Sequence, residues 1–148
     1  MKVLLKLTPK SIKPVIKVNK YSEALFDTGA DIPVWVNSLN YLLLEFPDAE
    51  FVTKDYCISG FGGQCSGQVY TINFTLDSFT FPHMPIFVPD VVPDFPYSLI
   101  LPAAIFDGLL YSIDTSNKHI AVDVDFPYQM VRNIKIMKSD GTIVVLAD

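Results

Sequence analysis

The chain has 148 residues, of which 50% are apolar and 18% are charged, and its formal net charge is −5. This composition supplies a packed core and excludes an intrinsically disordered chain, and the shortage of cations argues against a nucleic acid partner. No apolar stretch reaches the roughly 18 residues that a membrane-spanning helix needs, so no membrane partner is expected.

Most of the first half is predicted to form short strands. Four segments have the apolar or β-branched pattern of strands: residues 2–7, 12–18, 24–26 and 33–36. Residues 39–44 predict a helical turn or two, which Pro47 ends. The positive mean hydropathy is high for a soluble monomer, and a subunit interface is the natural place for the surplus apolar surface.

The second half predicts hairpins. Residues 55–76 form two extended arms around the glycine-rich sequence 60–63, and the prolines of residues 79–96 exclude a helix there. One short helix is predicted at residues 103–110. Two further hairpins join residues 111–114 to 119–125 and residues 133–137 to 142–146. With no internal repeat or polar linker, the prediction is a single all-β, barrel-like domain spanning residues 1–148.

Asp27 is the main candidate for chemistry. An apolar strand leads directly into Asp27-Thr28-Gly29, and a glycine permits close backbone approach just after the acid. This arrangement holds a carboxylate at the end of a rigid element. The alternative is that Asp27 is a turn residue whose carboxylate only accepts hydrogen bonds from the backbone of its own turn, as the aspartate of Asp-x-Gly sequences often does.

At this point the chain resembles the retropepsin-like aspartic proteases, on three stretches. They are the catalytic-loop sequence Leu25-Phe26-Asp27-Thr28-Gly29-Ala30-Asp31, the flap-like sequence Ser59-Gly60-Phe61-Gly62-Gly63, and the apolar strand Leu99-Ile100-Leu101. The resemblance implies a single-lobe closed barrel with a glycine-rich flap hairpin and one short C-terminal helix.

The resemblance also implies an aspartic endopeptidase that cleaves extended polypeptides without a metal or cofactor. Asp27, Thr28 and Gly29 are the implied catalytic residues. The implied substrate-binding residues are Ala30, Asp31, Ile32, Gly60, Phe61, Gly62, Ser98 and Ile100. Val34 and Ile58 are further pocket candidates. Each of the five possible pocket residues fits a plain core role equally well: Ile32, Val34, Ile58, Ser98 and Ile100. Because the chain carries one well-formed motif, the second carboxylate must come from Asp27 of another subunit in a two-fold homodimer.

Two positions bear on activity. Ala30 cannot donate a hydrogen bond to the catalytic carboxylate, as the Ser or Thr of pepsin-like relatives does, so activity is expected to extend toward neutral pH. Pro102 stands where the family usually has glycine, and it removes an N–H beside the catalytic loop. A second hypothesis is therefore a non-catalytic binding or assembly module with the same fold.

The remaining polar candidates carry little chemistry. Cys57 and Cys65 are expected to be free thiols, and neither they nor His83 and His119 have metal-ligand spacing. The three apolar residues that follow Lys2 are too few for a secretory signal, which predicts a cytoplasmic location.

Overall fold

The computed structural model describes residues 2–9, 11–18, 22–77, 79–124, 135–137 and 143–145. These residues form strands joined by short connections, with one α-helix and one turn of 3₁₀ helix. The strands are β1 (Lys2–Lys6), β2 (Val15–Lys17), β3 (Glu23–Asp27), β4 (Val34–Trp35), β5 (Glu50–Gly60), β6 (Gly63–Leu76), β7 (Phe79–Pro89), β8 (Leu99–Pro102), β9 (Leu110–Asp114), β10 (His119–Asp123), β11 (Lys135–Met137) and β12 (Ile143–Val145).

A seven-stranded mixed sheet carries the fold, in the order β2-β3-β8-β4-β7-β6-β5. A three-stranded antiparallel sheet has the order β1-β10-β9, and β11 pairs with β12. The all-β prediction is confirmed. The predicted hairpins of the second half pair as expected, although the turn and outer arm residues of the last hairpin lie outside the described residues.

A closed barrel is not found among the described strands. The two larger sheets are joined by the single bridge between Leu7 and Ile16, and β5 and β9 remain edge strands. The two edge strands of the large sheet, β2 and β5, do not pair with each other. The predicted barrel is therefore replaced by open sheets in the described part of the chain.

The helices differ from the prediction of one helix at residues 103–110. That segment contains only a 3₁₀ turn, Ala103–Phe106, because Gly108 has φ +81° and β9 begins at Leu110. The α-helix lies earlier, at α1 (Leu39–Glu45), within the region where a helical turn or two was predicted. Ser38 caps this helix by accepting a hydrogen bond from the Tyr41 N–H at 3.4 Å.

The core is rich in aromatic rings, and it buries both faces of the central strands β4 and β8. Phe106 contacts Phe79 at 5.3 Å and Phe26 at 5.8 Å between ring centroids, which ties the 3₁₀ turn to β7 and β3. In the described residues no helix is long and apolar enough to cross a membrane.

Candidate active site

An apolar floor is built by three neighbouring strands of the large sheet. β8 lies between β3 and β4, and Ile100 is in register with Leu25 on one side and Val34 on the other. The period-two alternation of β3 buries Ala24 and Phe26 in the core. The same alternation turns Leu25 and Asp27 to the opposite face, where both line a cleft.

Asp27 is the last residue of β3 and is half-buried at this floor. Its Oδ1 accepts a hydrogen bond from the Gly29 N–H at 2.9 Å, and its carbonyl oxygen accepts one from the Ala30 N–H at 3.2 Å. The strand before it is fixed by the Phe26 N–H, which donates to the Pro14 carbonyl at 2.9 Å. The carboxylate is therefore held at the end of a paired strand by its own loop.

The loop of residues 28–33 connects β3 to β4 and passes over the carboxyl end of β8. Pro102, which is buried, ends β8 directly beside Asp27 in parallel register. A proline has no N–H, so it cannot donate a ladder hydrogen bond at this position. The neighbour of the candidate catalytic residue is thus a rigid apolar group.

The β5–β6 hairpin contributes one part of the cleft lining. β6 is in register with β7 only from Gly67 onward, and the Ser66 carbonyl accepts a hydrogen bond from the Asp90 N–H at 2.9 Å. The segment 57–65 before it is a two-stranded arm whose ladder partners lie within the hairpin. A bulge with Asp55 at φ +59° interrupts β5 where this arm begins. Phe61 and Gly62 form the turn at the tip, both with positive φ.

Aromatic contacts anchor the tip of this hairpin, which lines the cleft. The Phe61 ring meets Phe95 edge-on, with centroids 5.7 Å apart and planes at 87°, although Phe61 remains 42% exposed. Phe95 in turn contacts Tyr97 at 5.7 Å, and the Tyr97 hydroxyl lies 3.4 Å from Ser11 Oγ. The tip is thereby connected to the loop of residues 90–98.

The resulting cleft has a volume of about 560 Å³. Its lining comes from the floor, the loop after β3, the arm and the loop before β8. The lining residues are Leu25, Asp27, Gly29, Ala30, Asp31, Ile32, Val34, Tyr56, Cys57, Ile58, Ser59, Gly60, Phe61, Phe95 and Ile100.

Eight of the eleven predicted site residues line this one cleft; the exceptions are Thr28, Gly62 and Ser98. Thr28 is exposed in the turn after β3, and Gly62 is exposed at the outer side of the tip. Ser98 is at the far end of β8, where its N–H donates to Glu23 and its carbonyl accepts from Val36. Ser98 therefore joins β3 to β4 through its backbone.

Five lining residues were absent from the predicted site: Leu25, Tyr56, Cys57, Ser59 and Phe95. Leu25 was visible in the motif, and the alternation of β3 could have placed it beside Asp27. Tyr56 and Cys57 precede the glycine-rich tip on the arm. Phe95 carried no signal, because only the fold brings it to Phe61.

Electrostatic interactions connect two walls of the cleft. Partial burial, together with the negative charge of Asp31, raises the pKa of the Tyr56 hydroxyl. The thiols of Cys57 and Cys65 are free, and burial raises the pKa of Cys65. Within the described residues, no group of three or more His, Cys, Asp or Glu is placed to hold a metal ion.

The comparisons with known proteins give one structural match. No protein-family model matches the sequence, and no curated protein matches it. The fold is similar to that of a retropepsin-like aspartic protease from Rickettsia conorii, with a TM-score of 0.50 and 13% sequence identity. The match covers 82% of this chain and 89% of that protein, so it shows similarity of fold across most of both chains.

Proposed function

We propose that the chain is an aspartic endopeptidase that acts as a two-fold homodimer, with Asp27 of each subunit as the two catalytic carboxylates. The observation that carries this proposal is the position of Asp27. It lies at the end of β3 in a cleft that Gly60 and Phe61 also line, in a fold similar to that of a retropepsin-like aspartic protease.

A second subunit is needed because one chain does not supply the pair. Asp31 is the other carboxylate of the cleft, but no hydrogen bond joins it to Asp27, whose Oδ1 is bonded to the Gly29 N–H. A two-fold axis next to Asp27 would bring Asp27 of the partner subunit into contact with it. This interface would also cover apolar surface.

The chemistry requires two carboxylates that share one proton, because like charges in contact do not both ionise. The charged carboxylate takes a proton from a bound water, whose oxygen bonds to the scissile carbonyl carbon, while the protonated carboxyl donates to the carbonyl oxygen. The tetrahedral intermediate then breaks its C–N bond: the amine leaves with a proton from one carboxyl of the pair, and one hydroxyl of the intermediate returns its proton to the other carboxylate, which leaves a carboxylic acid product and a pair that again holds one proton. The apolar floor and the hairpin arm would keep bulk water out.

The substrate would be an extended polypeptide. The arm offers unpaired strand edges over the floor, which suits main-chain hydrogen bonding to a strand-like peptide. The apolar floor of Leu25, Val34 and Ile100 favours hydrophobic side chains beside the cut.

The test is cleavage of a mixed peptide library between pH 4 and 7, read by mass spectrometry. Wild type is compared with Asp27→Asn and with Asp48→Asn, which removes one exposed charge from the turn after α1. We expect wild type and Asp48→Asn to cleave, Asp27→Asn to be inactive, and pepstatin to inhibit. Equal cleavage by Asp27→Asn would rule the proposal out.

Pro102 supports a second candidate, a non-catalytic binding or assembly module with the same fold. A buried proline beside Asp27 removes a donor and adds bulk next to the position that the partner's loop would approach. A stable dimer that cleaves no library peptide, either as wild type or as Pro102→Gly, would favour the module. Cleavage that Pro102→Gly increases would show that the proline only slows the enzyme.

A further inference from the structure

The cleft is acidic. Its lining contains two carboxylates, Asp27 and Asp31, and no lysine, arginine or histidine. Asp27 is engaged by its own loop, whereas Asp31 forms no ion pair with any described residue. Asp31 is thus a negative charge without a counter-charge in the described part of the molecule.

The backbone around Asp31 is fixed although its side chain is solvated. Ala30 is half-buried and hydrogen-bonded to Asp27, and Ile32 is buried at 5% exposure, while Asp31 between them is exposed. An exposed carboxylate stays ionised at little cost. The loop therefore presents a charged group at a defined place on the wall of the cleft.

Tyr56 lines the same cleft. Its ring packs on Phe87 with centroids 5.9 Å apart, and its hydroxyl feels the charge of Asp31, which contributes to its raised pKa. Asp31 and Tyr56 therefore present an acidic group and an aromatic ring to the same cleft. A long basic side chain suits both, because its stem can lie on apolar surface while its charged end reaches the carboxylate.

We propose that Asp31 selects substrates with a lysine or arginine side chain, which binds between Asp31 and Tyr56. This inference rests on the proposed function and names part of its specificity. In the proposed homodimer each subunit supplies one such subsite. The preference is therefore expected at two positions of the peptide, one on each side of the scissile bond and related by the two-fold axis.

The experiment uses a peptide that wild type cleaves, with each position in turn replaced by lysine, norleucine or glutamate. Norleucine keeps the apolar stem of lysine without the charge. We expect lysine to raise kcat/KM about tenfold over norleucine at the preferred positions, mainly through KM, since a charge-assisted hydrogen bond is made already in the ground state. Glutamate at those positions should be cleaved less well than norleucine.

Three variants test whether the preference for lysine depends on the charge of Asp31. Asp31→Asn, which keeps the side-chain shape, should bring the ratio of kcat/KM for the lysine peptide to kcat/KM for the norleucine peptide down to about one. Asp31→Lys should reverse the preference toward glutamate. Asp48→Asn removes the same charge from an exposed turn outside the cleft and should keep the preference. A lysine preference that survives in Asp31→Asn, or its absence in wild type, would overturn the inference but leave the protease intact.

Binding separates this inference from the proposed function. Fluorescence anisotropy with labelled lysine and norleucine peptides on Asp27→Asn measures the subsite without cleavage. Tighter binding of the lysine peptide by a protein whose wild type cleaves nothing would support the subsite and contradict the protease. Equal binding of both peptides would contradict the subsite.

Discussion

Gly67 occupies a point where neighbouring strands approach too closely for a side chain. A Cβ at this position would lie 2.2 Å from the Val88 carbonyl oxygen and 2.8 Å from the Phe87 ring. Gly67→Ala is therefore expected to destabilise the fold by about 1–3 kcal/mol, the usual cost of overpacking. Urea unfolding measures this change.

Gly63→Ala is the matched control for Gly67→Ala. The glycine begins the same strand, but a Cβ there meets nothing within 4 Å. Its unfolding midpoint should stay near that of wild type. Similar midpoints for the two variants would show that β6 and β7 can separate to accept a methyl group.

Asp114 is predicted to stabilise the β9–β10 turn in a pH-dependent way. Its carboxylate accepts hydrogen bonds from the Asn117 backbone N–H at 2.9 Å, from the Asn117 side-chain amide at 2.8 Å, and from the Ser116 backbone N–H at 3.0 Å. These bonds lower the pKa of Asp114, and the two from Asn117 have the largest effect. The pKa of Asp114 is lower in the folded state than in the unfolded state. Its contribution to folding stability is therefore fully present at pH values above the unfolded-state pKa, and it is lost as the pH falls through the folded-state pKa. Asp114→Asn should lower the thermal midpoint at pH 7 and leave it unchanged near pH 2. An equal decrease of the thermal midpoint at both pH values would show that the effect comes from the changed side-chain structure and not from the carboxylate charge.

The residues of the site were predictable to the extent that local sequence fixes them. Asp27 follows an apolar strand and precedes a glycine, so its place at a strand end could be derived from neighbours in the chain. Phe95 could not be, because its contact with Phe61 depends on how two distant segments pack. Ser98 matched a family pattern, but the strand register puts it at the opposite end of β8 from Asp27.

At the scale of elements, the hairpin arm is expected to depend on the Phe61–Phe95 contact. An aromatic pair is worth about 0.5–1.5 kcal/mol beyond its buried area, so Phe95→Leu should speed hydrogen exchange at the tip roughly two- to tenfold. If the arm covers substrate, the same variant should raise KM more than it changes kcat. Exchange mass spectrometry of peptides covering residues 57–66 gives the first measurement, and peptide kinetics the second.

Phe51→Leu tests whether this effect belongs to the tip. Phe51 forms a similar edge-on pair with Tyr70, 5.7 Å between centroids, near the base of the same hairpin. Loss of the Phe51–Tyr70 pair should leave the rate of hydrogen exchange at the hairpin tip close to that of wild type. A tip that loosens equally in both variants would indicate a general weakening of the hairpin.

Elements with a local signal were predicted well. The glycine-rich turn specifies the β5–β6 hairpin, and Pro47 prevents helix α1 from continuing further along the chain. The segment after Pro102 was predicted as a helix on its apolar residues, but Gly108 at positive φ ends it after one 3₁₀ turn. The apolar residues there serve the core, since Ile105 and Phe106 are buried.

At the scale of the whole molecule, sequence patterns did not predict how the sheets join. Alternation predicts that a strand has one buried face, but it does not say which strand lies at its free edge. The parallel register of β3 with β8, and the place of β8 between β3 and β4, come from contacts between residues far apart in the chain. The two-fold assembly is a further step of this kind, and it stays a prediction.

Mixing subunits tests that assembly. Equal amounts of wild type and Asp27→Asn are mixed and allowed to exchange subunits. The reference is wild type alone at the same total protein concentration. If each site needs two intact Asp27 residues, random exchange leaves about one quarter of the dimers active, so activity per total protein should fall to about a quarter and not to about a half. Activity should also fall on dilution below the dimer dissociation constant, measured by sedimentation. A decrease to one half, with no effect of dilution on specific activity, would show that each chain works alone and that the second carboxylate must be sought within one chain.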